Sequence, residues 1–293
     1  MTHLRAANRF FVVWLDFCYK PVVYLEFYGL THAPFDITPN PRFLFHSSKH
    51  REAFNHLLYG IRERKGFVQL TGEVGAGKTT LCRALLEQLD SNFSTALILN
   101  PVLNPDEMMK AIAMEFGLDV QGKDRLETIS AISGFLLNQI EAGRETVLII
   151  DEAQNLTEEL LEQVRLLSNI EMDDRKLLQI VLLGQPELRD RLNSPRLKQL
   201  RQRITVRFHL APLTRVEVAQ YIRHRLQVSG AQESPTFSLP ALWRIFKYSG
   251  GIPRLVNAVC DKALLASFVK RSNRIDYSMV GRAIRELEGD IRA

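Results

Sequence analysis

Cysteine is scarce in this sequence. Three residues, Cys18, Cys82 and Cys260, stand far apart among 293. They form no CxxC pair and no Cys/His cluster, so neither a disulfide framework nor a zinc site is expected, and a reducing compartment is. Long apolar runs are missing too. The longest near the N-terminus, "FFVVWL" at Phe10–Leu15, is ended by Asp16. A membrane-spanning helix needs roughly 20 such residues, so no transmembrane segment is expected. Arg5 and Arg9 precede the run as they would in a secretion signal. Asp16 and Lys20 break its apolar stretch and no small-residue cleavage site follows, so export is not expected. Internal repeats and low-complexity linkers are also absent.

What is present is the balance of a soluble globular chain, 46% hydrophobic and 24% charged. The length suits one large domain or two ordinary ones. Charge is uneven. Residues 1–184 carry 18 Lys+Arg against 24 Asp+Glu, and residues 185–293 carry 20 against 9. A basic C-terminal third suits nucleic acid, an anionic membrane surface or an acidic protein face. Its charges are scattered rather than blocked, which equally fits a solvated helical surface or a face that meets the acidic half of a neighbouring copy.

Five short apolar segments read as strands buried on both faces: "FVQLT" (67–71), "ALILN" (96–100), "TVLIID" (146–151), "LQIVLLG" (178–184) and "TVRFHL" (205–210). Helical patterns separate them. "NPDEMMKAIAMEFGL" opens with an Asn104 cap and Pro105 at the first helical position, and "TEELLEQVRLLSNI" repeats Leu160, Leu161, Val164 and Leu167 at helical spacing. The alternation predicts an α/β fold with a five-stranded parallel sheet covered on both sides. After Leu210 the pattern becomes four helices, with Thr214, Ser238 and Asp276 as N-caps and Gly230 and Gly250 as stops. The expected organisation is an extension over 1–23, an α/β nucleotide-binding domain over 24–211 and a small all-helical domain over 212–293.

"GEVGAGKT", Gly72–Thr79, matches G-x-x-x-x-G-K-[ST] in full. Gly72, Gly75 and Gly77 let the backbone turn so that amide N–H groups converge on phosphate oxygens. The helix that follows adds the positive end of its dipole. Lys78 is expected to reach the β and γ phosphates, and Thr79 to place its hydroxyl on Mg²⁺. Glu73, Val74, Ala76 and Thr80 complete the expected ATP-binding set.

"VLIIDEAQN" supplies the partner. Asp151 ends a buried strand, where such folds place their chemistry, and is expected to bind Mg²⁺. Glu152 is expected to polarise the attacking water. Adjacent carboxylates on a strand point to opposite faces, so the strand must end here and turn Glu152 back toward the γ-phosphate. "DEAQ" resembles the helicase box D-E-A-D/H, but no "SAT"-type motif follows the next strand. That strand ends in "LLGQPEL", where Gln185 suits a sensor of the γ-phosphate. Arg201 and Arg203 lie just before the fifth strand. An arginine there suits the nucleotide of a neighbouring subunit, and Arg203 is the better placed. In "SGGIPRLVN", Pro253 starts a helix and Arg254 is expected to face the nucleotide from the helical domain. A polar loop residue and surface arginines are the plain structural alternatives.

These blocks together resemble the AAA+ ATPases of the general secretion pathway protein A, or ExeA-like, family. "YGLTHAPFDITPNPRFLFHSSKHREAFNHLLYGI" resembles its N-terminal signature. "GFVQLTGEVGAGKTTLCRALLEQL", "VLIIDEAQNL", "LLQIVLLGQPEL", "QRITVRFHL", "YIRHRL" and "SGGIPRLVNAVCDKALL" follow in order, from Tyr24 to about Leu265. The resemblance implies ATP hydrolysis with Mg²⁺, homo-oligomers, and a task in building envelope machinery with an inner-membrane protein partner. It implies a cytoplasmic location at the membrane periphery, and a place for Pro34 and Phe35 by the adenine. Larger members continue into a transmembrane helix and a peptidoglycan-binding domain, whereas this chain stops at Ala293 and resembles stand-alone relatives. Members usually begin at the equivalent of Val23, so residues 1–22 are expected to be an upstream mis-call with a non-AUG start. Three functions stay in view: an envelope-assembly ATPase first, then a DNA-associated helper ATPase of transposition or replication type, then a slow nucleotide-gated scaffold.

Overall fold

The structure, a computed structural model, describes residues 23–172 and 175–289. The question of the start site concerns residues 1–22 and lies outside them. A short helix, α1 (Leu25–Tyr28), leads through a loop with one 3-10 turn (Pro41–Phe43) to α2 (Ser48–Arg62), which Ser47 caps through the His50 amide. The α/β core follows: β1 (Phe67–Gly72), α3 (Lys78–Gln88), β2 (Phe93–Ile98), α4 (Pro105–Glu115), α5 (Arg125–Glu141), β3 (Glu145–Ile150) and α6 (Glu158–Leu167). A two-residue hairpin, β4 (Glu171–Met172) with β5 (Arg175–Lys176), precedes β6 (Leu178–Gly184), α7 (Pro186–Leu192), α8 (Lys198–Arg203) and β7 (Ile204–Leu210).

The five long strands form one parallel sheet in the order β2-β3-β6-β1-β7. Their side chains alternate between two cores. Leu148 and Ile150 of β3, with Ile180 and Leu182 of β6, join α4, α5 and α6 on one face. Val147, Ile149, Val181 and Leu183 join α2 and α3 on the other. Each such buried Leu or Ile contributes about 1.5–3 kcal/mol, which is why the central strands are apolar throughout. β2 begins at Phe93, three residues before the expected start. It is an edge strand, half-exposed at Phe93 and Ser94, so polar residues are tolerated there and mask the pattern. Helix α5 adds to the helices named from the sequence. Its Asp124 capping box marks it in the structure.

Beyond Leu210 lie α9 (Arg215–Val228), α10 (Leu239–Ser249), α11 (Pro253–Val269) and α12 (Tyr277–Leu287). Thr214, Ser238 and Asp276 cap α9, α10 and α12. Gly250 ends α10 in the left-handed region at φ 57°, and Gly230 follows Ser229 at φ 93°. One addition to the helices is a two-residue parallel pairing of β8 (Thr236–Phe237) with β9 (Arg274–Ile275). It ties two loops together and is too short to leave an alternating pattern. Tyr24, Tyr28, Leu30 and Phe35 are buried in the same cluster as Val218, Ile245, Val259 and Val280. The first described residues therefore pack into the helical unit, against residues distant in sequence. Among the described residues no helix is long and apolar enough to cross a membrane.

Candidate functional site

β1 ends at Gly72, and the chain wraps through a tight loop into α3 at Lys78. Gly75 and Gly77 take φ 78° and 101°, which side chains rarely adopt. The loop also meets close neighbours: a Cβ on Gly75 would lie 2.4 Å from Arg254 Cβ, and one on Gly77 3.2 Å from His50 Nε2. The Lys78 ammonium donates to the carbonyls of Gly72 at 2.8 Å and Glu73 at 3.1 Å. Burial pulls its pKa below the ordinary lysine range, and the charges of Glu152 and Asp151 work the other way. Gly72, Glu73 and Ala76 belong to the loop but do not line the cleft beside it. Val74, Gly75, Gly77, Lys78, Thr79 and Thr80 line an open cleft, about 860 Å³ when the solvent at its mouth is counted.

The second half arrives from β3. Asp151 follows the strand directly and is buried, and its Oδ2 accepts the Thr79 hydroxyl at 2.6 Å. Two hard oxygen donors so placed fit Mg²⁺, which takes few protein ligands and completes its shell with water and phosphate. Glu152 turns left-handed at φ 52° and ψ 37°. That reversal brings its side chain to the cleft wall beside Lys78 rather than to the far side of the sheet. Its N–H donates to Asp151 Oδ1 at 2.9 Å. Its Oε2 accepts from Gln154 Nε2 at 2.5 Å and Gln185 Nε2 at 3.2 Å. Burial raises the Glu152 pKa, but those two bonds and the charges of Lys78 and Arg254 outweigh it and hold the carboxyl below its usual range.

Gln154 was not singled out from sequence. Its Oε1 also accepts the Gln185 N–H at 3.0 Å, so it braces both residues. Its signal was its place two residues after Glu152. His50 was missed as well. It is buried on the cleft wall between Ser47 Oγ (2.8 Å) and the Ala76 carbonyl (3.1 Å), and burial lowers its pKa. A lone histidine in a helix carries no sequence signal for this contact.

Arg254 lines the cleft from α11, and its N–H donates to the Gly75 carbonyl at 3.2 Å. Arg203 does not line the cleft of its own chain. Its guanidinium donates to Ser168 Oγ at 3.1 Å and to Asn169 Oδ1. Among the described residues the Arg201 guanidinium reaches the Asn193 carbonyl, at 3.5 Å. Pro34 and Phe35 require a correction: neither lines the cleft. Phe35 is 1% exposed in the helical core, edge-on to Phe237. The wall is formed by the residues just after them, Asp36–Asn40, together with Phe43–Phe45. An apolar ring before a polar loop is drawn into the nearest core, and the loop is left at the opening.

The AAA domain family matches residues 61–192. The chain is 47% identical over 268 residues to general secretion pathway protein A of Aeromonas hydrophila, an alignment covering 91% of this chain and 49% of that protein. Two solved structures are similar at 17% identity. They are the ORC2 protein of Aeropyrum pernix in its ADPNP–ADP complexes (TM-score 0.63, covering 87% of this chain and 71% of that one) and Drosophila ORC bound to DNA (TM-score 0.66, 98% and 69%). At that identity they show the fold alone. Sheet, phosphate loop and acidic strand end define the class: this is an AAA+ P-loop nucleoside triphosphatase fold. Within that class the chain is similar to general secretion pathway protein A, of which it spans about half the length.

Proposed function

We propose that this chain binds ATP with Mg²⁺ and hydrolyses it, and that the cycle, run in a homo-oligomer, drives or regulates assembly of a bacterial envelope system. One observation carries the hydrolysis: the Thr79 hydroxyl and Asp151 carboxylate meet at 2.6 Å, with Glu152 turned to the same cleft beside Lys78. Lys78 and the loop amides hold the phosphates. Mg²⁺, held at Thr79 and Asp151, would offset charge on the β and γ oxygens. Glu152, kept ionised by its surroundings, orients and polarises the attacking water. Gln185 and Gln154 aim that carboxylate. Arg254 brings a positive charge from the helical unit to the phosphate end. Arg203 acts on the nucleotide of the next subunit. The envelope task, the inner-membrane partner and a cytoplasmic site at the membrane periphery rest on the likeness to general secretion pathway protein A.

The test is Glu152→Gln in the full chain. ATP binding persists and phosphate release falls by about a hundredfold to ten-thousandfold, the usual worth of a general base. Wild-type turnover in this variant sinks the assignment. Crosslinking the stalled variant in its native cell identifies its machinery: envelope proteins support the assembly role, and recovery of DNA or transposition proteins overturns it.

A further inference from the structure

One end of the cleft carries Lys78, Thr79, Glu152 and Arg254, and the other is built around a buried guanidinium. Arg225 of α9 is 6% exposed, yet its hydrogen-bond partners are neutral. Nε donates to the Pro34 carbonyl, Nη1 to the Tyr221 hydroxyl at 2.8 Å and Nη2 to the Asp36 carbonyl at 3.2 Å. The Phe43 ring centre lies 4.6 Å from the guanidinium carbon. Asn257 of α11 closes the network, accepting from Tyr221 at 2.8 Å and donating to the Asp36 carbonyl at 3.4 Å.

Burying a charge among neutral groups is costly, and an apolar residue of the same volume fills such a space at lower cost. The contacts supply the reason. Both carbonyls belong to the segment whose residues Asp36–Asn40 wall the cleft that the phosphate loop also lines. Arg225 and Asn257 belong to the helical unit, and α11 also presents Arg254 to Gly75. The helical unit therefore holds the 34–40 segment through α9 and α11 and meets the phosphate loop through α11. With phosphates seated on the loop, the nucleobase falls at the wall that segment forms.

We propose that Arg225, with Tyr221 and Asn257, is a positioning residue for nucleobase recognition: it hangs the 34–40 segment on the helical unit and so sets which base the cleft accepts. The proposal rests on the reading of the cleft as an ATP site. A main chain that reads a purine edge must be held to within about 0.5 Å. A site built to hydrogen-bond one base then rejects a base with the opposite donor and acceptor pattern.

The experiment titrates ATP, GTP and inorganic tripolyphosphate, each with Mg²⁺, into the full-length wild type, Arg225→Met and Arg225→Lys. Tripolyphosphate has phosphates and no base. The expected result in Arg225→Met is unchanged tripolyphosphate affinity, about tenfold weaker ATP binding and a smaller preference for ATP over GTP, partly restored by Arg225→Lys. Unchanged ATP affinity overturns the proposal. So does a wild type that binds ATP and GTP alike. A proportional loss of ATP and tripolyphosphate marks a purely structural role and also overturns it. A wild type that binds neither ATP nor tripolyphosphate instead removes the ATP site itself. Where Arg225→Met does not fold, Asn257→Ala, which cuts one tie to Asp36, is expected to give the same pattern more weakly, and an unaltered base preference there is decisive against it.

Discussion

Glu152 occupies a left-handed conformation, φ 52° and ψ 37°, at a cost of about 1–2 kcal/mol for a residue with a Cβ. Its own N–H to Asp151 and the two glutamines on its carboxylate hold it there. The same glutamines help keep its pKa low against burial. Replacing Gln154 or Gln185 by alanine is therefore expected to move the acid limb of the hydrolysis profile to higher pH. Phosphate release followed across the acid range reads it, and an unmoved limb shows that another group governs. His50 is also shifted down, here by burial itself. Burial lowers its pKa from 6.5, so below 6.5 the unfolded chain binds more protons than the folded one. Stability is then fully present above that value and falls as the pH drops toward the folded pKa. His224 is lowered in the same way, first by burial and then by Arg225, and adds to the slope. His50→Gln is expected to flatten the fall in melting temperature between about pH 7 and pH 5, and an equally steep fall places the acid sensitivity elsewhere.

At the scale of elements, three glycines separate strain from contact. Gly143 sits at φ 69° with open space around its absent Cβ. Gly75, at φ 78°, would press a Cβ to 2.4 Å from Arg254 Cβ, where α11 meets the phosphate loop. Gly251, at φ 83°, would press one to 2.0 Å from the Leu213 carbonyl oxygen. Alanine at Gly143 is expected to cost only the backbone term, about 1–2 kcal/mol. Alanine at Gly75 costs more and weakens nucleotide binding by moving α11 away from the loop. Alanine at Gly251 costs the most, since its neighbour is backbone that cannot step aside. Urea unfolding of the three variants gives the order, and equal losses overturn the role assigned to these contacts. Helix ends were legible for a related reason. Asn104 accepts from the Asp106 and Glu107 amides at 3.0 and 2.9 Å, a local bond between residues two and three apart. The short β8 and β9 pairing joins residues almost forty apart, and no local pattern announces it.

At the scale of the whole molecule, Arg203 is separate from the cleft of its own chain, held by Ser168 and Asn169. A role in hydrolysis therefore requires a second copy. Arg203→Ala is expected to bind ATP and lose turnover. Mixing it with Lys78→Ala protein restores part of the activity, because the Lys78→Ala subunit still donates its arginine to an intact neighbouring loop. Mixed oligomers without rescue count against action between subunits. The charge distribution suits such contacts, since the acidic first part of the chain complements the basic last third.

The amino-acid sequence by itself determined the elements whose causes are local. Strands buried on both faces read as apolar runs, and caps act within one turn. The phosphate loop needs only three glycines, a lysine and a threonine in succession. Asp151 and Glu152 were legible because a strand end follows from where the apolar run stops. Tertiary structure decided what the loop faces. It drew Phe35 into the helical core and left Asp36–Asn40 at the opening, set His50 against Ala76, and joined Arg225 to Pro34 across 191 residues of chain. Those contacts depend on which surfaces meet once the core is buried, and burial is a non-directional force summed over the whole chain.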